Sequence, residues 1–255
     1  MPNLPADFLQ TPIAHRGYHD RAAGRPENSL AAVHAAVAAG YGVEIDIQPS
    51  ADGVPMVFHD YTLDRMTPVK GSIFTKTAAE LATLTLGGTA ETIPTLAEVL
   101  AAVGGKVPLL IEIKDQDGAS GPKVGPLEAA VAKVLNGYRG PVAMMSFNPH
   151  SMAAMAVSAP DLPRGLTTCA YPAKDWPLIA EDERARLRAI PDYDRVGAAF
   201  ISHEAADLAR PRVAELKAQG AAILCWTIRS PEAETEARQI AQNITFERYA
   251  AVIPS

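Results

Sequence analysis

The 255-residue chain carries 23 Lys and Arg against 29 Asp and Glu, a formal charge of −6, with apolar residues at 48% and charged residues at 20%. That length suits one large domain or two small ones with a sizeable core, and an acidic balance without any Lys/Arg block excludes a surface that reads nucleic acid through its phosphates. Cys169 and Cys225, far apart and in no CxxC spacing, argue against a zinc knuckle or a disulfide framework.

The N-terminus lacks a basic stretch followed by an apolar one, and no apolar run approaches a membrane span, so a cytoplasmic protein without membrane insertion is expected. In chain order, "PIAHRG" (12–17) reads as a strand. "NSLAAVHAAVAAG" (28–40) reads as a helix, with Asn28 or Ser29 as its cap, Leu30, Val33 and Val37 at helical spacing and Gly40 as its stop. "YGVEIDIQPS" (41–50) and "VPMVFHD" (54–60) read as two strands joined by a turn in "SADG". "TAAELATL" and "TLAEVLAAVGG" are helical, "VPLLIEIKD" (107–115) is a strand, and "PLEAAVAKVLNGY" a helix. "PVAMMSF", "RGLTTCA", "AAFISHE" and "AAILCWTI" continue as strands, separated by the helical patterns "PHSMAAMAVSA", "DERARLRAI" and "RPRVAELKAQG" and followed by "SPEAETEARQIAQ". Roughly eight strands alternating with helices predict a single (β/α)₈ TIM barrel of parallel strands over residues 1–255, without an internal linker.

In such a barrel, reactive groups collect at the C-terminal ends of strands. His15 and Arg16 end the first predicted strand, Glu44 and Asp46 lie late in the second, His59 and Asp60 end the third, and Glu112 and Lys114 end the fourth. Side chains alternate along a strand, so Glu44 shares a face with Asp46, and Glu112 with Lys114. Carboxylates in otherwise apolar strands must be paired, protonated or bound to metal. For Glu44 and Asp46 alone, a metal site and an interior ion pair with Lys114 are equal readings. Three converging carboxylates suit a hard cation, Mg²⁺ or Ca²⁺, rather than zinc. Arg16 and Lys114 can hold phosphate oxygens, and His15 and His59 can act as base and acid. Together these groups point to metal-assisted cleavage of a phosphate ester. A Schiff-base role for Lys114 fails, because the surrounding acids keep it protonated.

"AHRG", "PENS", "VEIDIQPSADGVPMVFHDYTLDRMT", "IPTLAEVL", "LLIEIK" and "CWTI" occur in order through most of the chain. This succession resembles the glycerophosphodiester phosphodiesterase family. The resemblance implies hydrolysis of glycerophosphodiesters to sn-glycerol 3-phosphate and an alcohol, with Glu44, Asp46 and Glu112 as metal ligands and His15 and His59 as the acid–base pair. It also implies phosphate contacts from Arg16 and Lys114 and a place for Glu27 of "PENS" in the site, while Asn28 is equally a helix cap. The alternatives are a lysophospholipase D-type enzyme acting on lysophospholipids and a catalytically silent metal- and phosphate-binding barrel. Trp226 of "CWTI" is read either as a wall of the substrate pocket or as barrel packing, Phe147 as a flank of the site or as packing, and His203 as a mouth or core residue. His34 reads as a surface or packing residue, His19 as a loop residue, and Met144, Met145, Met152 and Met155 as core filler. Gly17 is expected to let the chain turn close to the ligand. The closing stretch "QNITFERYAAVIPS" departs from the family's usual ending, which leaves the contacts of the last loop open.

Overall fold

A computed structural model describes residues 2–254. Eight parallel strands close a barrel: β1 (Ile13–Ala14), β2 (Gly42–Pro49), β4 (Leu109–Ile113), β5 (Val142–Ser146), β6 (Arg164–Thr168), β7 (Phe200–Glu204), β8 (Ala222–Ile228) and β9 (Asn243–Phe246). Closure comes from β1, which pairs with β2 on one side and with β9 on the other.

The expected eight-strand count holds, but two of the assignments change. The predicted third barrel strand is β3 (Pro55–Val57), an antiparallel partner of β2 lying outside the barrel, with Ile47 opposite Val57. The reason is chain length: the five residues between β2 and β3 can turn a hairpin but cannot carry the crossover of about a dozen residues that parallel pairing needs. The eighth barrel strand is instead β9, drawn from the closing stretch, so Trp226 lies on the seventh barrel strand and not on the last.

The helices follow their local signals. In α2 (Leu30–Ala39) the N-cap is Ser29, whose hydroxyl accepts from Ala32 N at 3.1 Å, and Gly40 ends the helix at φ +78°. Thr95 and Glu98 form a capping box on α4 (Leu96–Val103). Further round the barrel come α5 (Pro126–Leu135), α6 (Pro149–Ser158), α7 (Glu181–Arg188), α8 (Pro211–Ala218) and α9 (Pro231–Ala237). Gly17, at φ +77°, lies against this layer: an added Cβ would meet the Ala32 carbonyl carbon at 2.9 Å. Its freedom serves the close approach to α2.

Strand parity divides the core. Val43, Ile45, Ile47, Ile111 and Ile113 point outward into the layer packed by the helices. Each such fully buried side chain contributes about 1.5–3 kcal/mol by leaving water. Leu110, Ala143, Phe200 and Leu224 fill the barrel interior with Phe8 of α1 (Asp7–Gln10). The next inward positions above Leu110, at the C-terminal end, are Glu112 and Lys114. Beside the barrel, residues 58–93 form a small core of their own around Phe58, Leu63, Ile73, Leu86 and Leu81, the last on α3 (Ala78–Leu81). Both cysteines are free and buried. Among the described residues no helix is long and apolar enough to cross a membrane.

Candidate active site

The register of β2 and β4 sets Asp46 directly beside Glu112, and Glu44 lies one inward step below Asp46. The three carboxylates are buried and offer oxygens that all lie within 4.8 Å of one another. Asn28, at φ +59°, donates from its side-chain amide to Asp46 at 2.9 Å, and its carbonyl oxygen accepts from Asp46 N at 3.3 Å. It therefore orients a candidate ligand, while Ser29 does the capping. Arg16, also at positive φ, donates its backbone N–H to Glu44 at 2.8 Å.

This cluster holds more negative charge than it tolerates. Burial, and then Asp46 and Glu112, push Glu44 well above the ordinary carboxylate range. Burial also acts to raise Asp46, but His59, Lys114 and Arg16 outweigh it and hold that carboxyl low. Lys114 lies 2.6 Å from Glu112 and 3.4 Å from Asp46. Burial presses the Lys114 pKa down, yet Glu112 and Asp46 keep it above the usual lysine range, which makes it a fixed cation. A buried all-oxygen set with one carboxyl forced towards its neutral form fits a hard divalent cation, whose charge would let all three ionise.

Each histidine is backed by a carboxylate, and each carboxylate is braced by an arginine. His15 Nδ1 lies 2.7 Å from Glu247, which accepts from Arg229 Nε at 2.7 Å. His59 Nδ1 lies 2.7 Å from Asp60, which accepts from Arg65 Nε at 2.7 Å. A carboxylate at Nδ1 selects the tautomer that leaves Nε2 free for proton transfer. Burial dominates at His15 and lowers its pKa, against the opposing pull of Glu247. Glu247 itself is held far below its ordinary value: burial works to raise it, and hydrogen bonds from His15, His19 and Arg229 prevail.

The groups meet in a cavity of about 160 Å³ lined by His15, Arg16, Glu44, Asp46, His59, Glu112 and Lys114. Phe147, Trp226 and Arg229 complete its wall. Of the expected site residues, His15 and Arg16 thus follow β1, Glu44 and Asp46 lie on β2, His59 follows β3 of the hairpin, and Glu112 and Lys114 lie at the end of β4. Glu27 lines neither this cavity nor the groove outside it. It binds Arg16 at 2.7 Å and Arg65 at 2.7 and 2.8 Å, and so stands behind the arginine. Burial acts to raise Glu27, but Arg65 and Arg16 bring it down to about 2. Trp226 lines the cavity and donates from its indole to Ser202 O at 3.0 Å. Phe147 also lines it, whereas His203 is buried between Thr168 and Asp207. His34 is exposed, and His19 lies 3.5 Å from Glu247. The four methionines are core or barrel-lining residues.

Sequence reasoning did not find Glu247, Arg229 or Arg65. Glu247 follows β9 directly, and the acidic residue after "NITF" was the one signal available.

The family described as the Glycerophosphoryl diester phosphodiesterase family matches residues 15–245. A glycerophosphodiester phosphodiesterase from Caldanaerobacter subterraneus subsp. tengcongensis is 36% identical over 186 residues, which cover 69% of this chain and 73% of that one. A putative glycerophosphodiester phosphodiesterase from Bacillus subtilis is 26% identical over 86% of both chains. Among solved structures, an Oleispira antarctica phosphodiesterase in complex with the product sn-glycerol-3-phosphate superposes with a TM-score of 0.77 at 29% identity, covering 94% of this chain and 93% of that one.

Proposed function

Because this chain belongs to the glycerophosphoryl diester phosphodiesterase family, and is therefore a phosphoric diester hydrolase acting on glycerophosphodiesters, we propose that it binds and cleaves the diester in the cavity above β1, β2 and β4. In this reading Glu44, Asp46 and Glu112 hold a divalent cation, Mg²⁺ or Ca²⁺, and His15 and His59 move the protons. The observation that supports it is the meeting of two carboxylate-backed histidines, three buried carboxylates and two fixed cations in one cavity.

When bound, the cation supplies positive charge to the phosphoryl oxygens. Arg16 and Lys114 bind the same oxygens, with Glu27 holding the Arg16 guanidinium in place. His15, buried and favouring its neutral form, takes a proton of the attacking water at Nε2, and Glu247 stabilises the imidazolium that results. His59 lines both the cavity and the outer groove through which a leaving alcohol departs, and it protonates that alcohol while Asp60 fixes its ring. Water is added across one P–O bond, and the products are sn-glycerol 3-phosphate and the head-group alcohol. Trp226 and Phe147 wall the substrate. Work in a reducing cytoplasm belongs to the same proposal and is supported by two free, buried thiols.

The test is turnover of glycerophosphocholine and glycerophosphoethanolamine with Mg²⁺, Ca²⁺ or EDTA. His15→Ala and His59→Ala should each lose about 10²–10⁴-fold in kcat, with cation binding by calorimetry retained; Glu44→Ala should weaken the cation itself. Near-normal turnover in both histidine variants sinks the assignment, and activity indifferent to EDTA removes the cation.

A further inference from the structure

Outside the phosphate cavity, and sharing His59, Glu112, Lys114, Phe147 and Trp226 with it, lies a groove of about 700 Å³. Its volume exceeds what a glycerol phosphate needs. The shared wall is aromatic: Phe147 stands 5.5 Å from Trp226, at 86° between ring planes, and 4.8 Å from Trp176. Tyr61, 40% exposed, lines the groove as well.

The charges on this groove are one-sided. Among the described residues Lys114 is its only lysine or arginine, and Glu112 and Asp46 already hold it. Asp60 is bound by Arg65, and Asp115 accepts from Ser120 N and the Asn148 amide, each at 2.8 Å. Asp115 has no cation beside it but is satisfied by these two bonds, whereas Glu204, set beside Trp226 by the pairing of β7 with β8, and Asp175, exposed and next to Trp176 in sequence, have neither a cationic partner nor a short hydrogen bond. Glu204 takes only a 3.4 Å hydrogen bond from Ala170 N. Lys174 is exposed on the same loop but does not line the groove.

We propose that this groove is a subsite for a cationic leaving group, an alkylammonium alcohol, held between the Phe147–Trp176–Trp226 wall and the carboxylates of Asp175 and Glu204. The inference rests on the phosphodiester reading of the inner cavity, which fixes the ester oxygen at the junction of the two spaces. A quaternary or primary ammonium gains from aromatic faces and from uncompensated carboxylates at once. An acyl chain in the same groove would strip water from both carboxylates without replacing it. An anionic head group such as an inositol phosphate would meet the acidic rim directly, and the carboxylate of a serine head group would oppose the gain from its ammonium.

The experiment measures kcat/KM for glycerophosphocholine, glycerophosphoglycerol, glycerophosphoserine and a lysophosphatidylcholine. Wild type should favour glycerophosphocholine over glycerophosphoglycerol by about tenfold, in line with one good cation–π contact plus a screened charge. In Asp175→Asn/Glu204→Gln that ratio should fall towards one, through a higher KM for the choline substrate and with its kcat held. Trp176→Ala should reduce the same ratio, and Asp175→Asn alone, in an exposed loop, serves if the double variant does not fold. Tetramethylammonium should compete with glycerophosphocholine in wild type. Equal kcat/KM for choline and glycerol substrates, a ratio untouched by the variants, or a preference for the lysophospholipid overturns the subsite while leaving the phosphodiesterase reading intact. Failure to hydrolyse any of the four overturns both.

Discussion

Replacing Glu247 by Gln tests whether the carboxylate behind His15 is part of the catalytic apparatus or only a packing partner. Its carboxylate is 8% exposed, sits 2.7 Å from His15 Nδ1 and accepts from Arg229 at the same distance. A hydrogen bond of this charged kind is worth about 1.5–3 kcal/mol. If that energy grows as the imidazole gains its proton, its loss appears in the barrier as about 10- to 150-fold in kcat. Gln has the size to keep the contact but not the charge, and its amide can donate to Nδ1 and move the imidazole proton to Nε2, the nitrogen that must accept. Steady-state kinetics should therefore show kcat reduced by that factor, with KM within about threefold and cation affinity by calorimetry unchanged, because Glu247 touches neither the carboxylate cluster nor Lys114. Glu247→Asp, one methylene shorter but still charged, should recover part of the rate. A Glu247→Gln enzyme with kcat within twofold of wild type, or one whose loss lies wholly in KM or in folding, refutes the reasoning.

Glu44→Gln should weaken cation binding by at least tenfold, yet in EDTA raise the unfolding midpoint or leave it unchanged, since it removes a buried carboxyl that burial and two like charges disfavour as an anion; differential scanning calorimetry decides. Lys114→Met should cost about 3–5 kcal/mol in urea unfolding, because Asp46 and Glu112 lose their buried partner. Glu27, brought from 4.5 down to about 2, stabilises the fold above the unfolded value, and its contribution is lost as pH falls through that window. The full shift is discounted because Arg65 is 47% exposed, leaving about 1–2 kcal/mol. Unfolding curves of wild type and Glu27→Gln should then differ by that amount near pH 6 and converge towards pH 2, and a constant gap contradicts it. Gly17→Ala should destabilise by about 1–3 kcal/mol, from its positive φ and the contact at Ala32, and full stability would mean that the turn relaxes.

What the sequence disclosed was set by range. The shared inward face of Glu44 with Asp46, and of Glu112 with Lys114, follows from the two-residue period of a strand, and the whole carboxylate cluster could be inferred from it. The hairpin at β3 was open to the same kind of reasoning: alternation of apolar residues cannot distinguish a barrel strand from an antiparallel one, but a five-residue connection can. β9 was harder. Its four residues include Asn243, which donates to Phe8 O at 2.8 Å and Thr11 O at 2.6 Å, and Thr245, which faces the cavity, so the strand carries little apolar signal. The partner of His15 lies 232 residues away, and no local pattern specifies such a pairing. Arg65 was hidden for a related reason, since its role emerges only when the segment after β3 folds onto its own small core and returns the guanidinium to both Asp60 and Glu27.

These braces also explain how a chain of net charge −6 can serve an anionic substrate. The cavity wall carries three carboxylates and three cationic side chains, Arg16, Lys114 and Arg229, so cations are gathered there where the surface as a whole is acidic. A divalent cation among the carboxylates would turn the local balance positive, matching a phosphodiester monoanion without any basic patch on the exterior. The remaining acids are held by position: Glu27 and Asp60 both bind Arg65, and Glu247 binds Arg229 behind His15. Asp175 and Glu204 have no cation beside them and lie in the outer groove, on the side that the proposed subsite gives to the leaving alcohol. If the proposed subsite holds, the division of charge between the two spaces would give the substrate its direction: phosphate inward to the cations, head group outward to the acids.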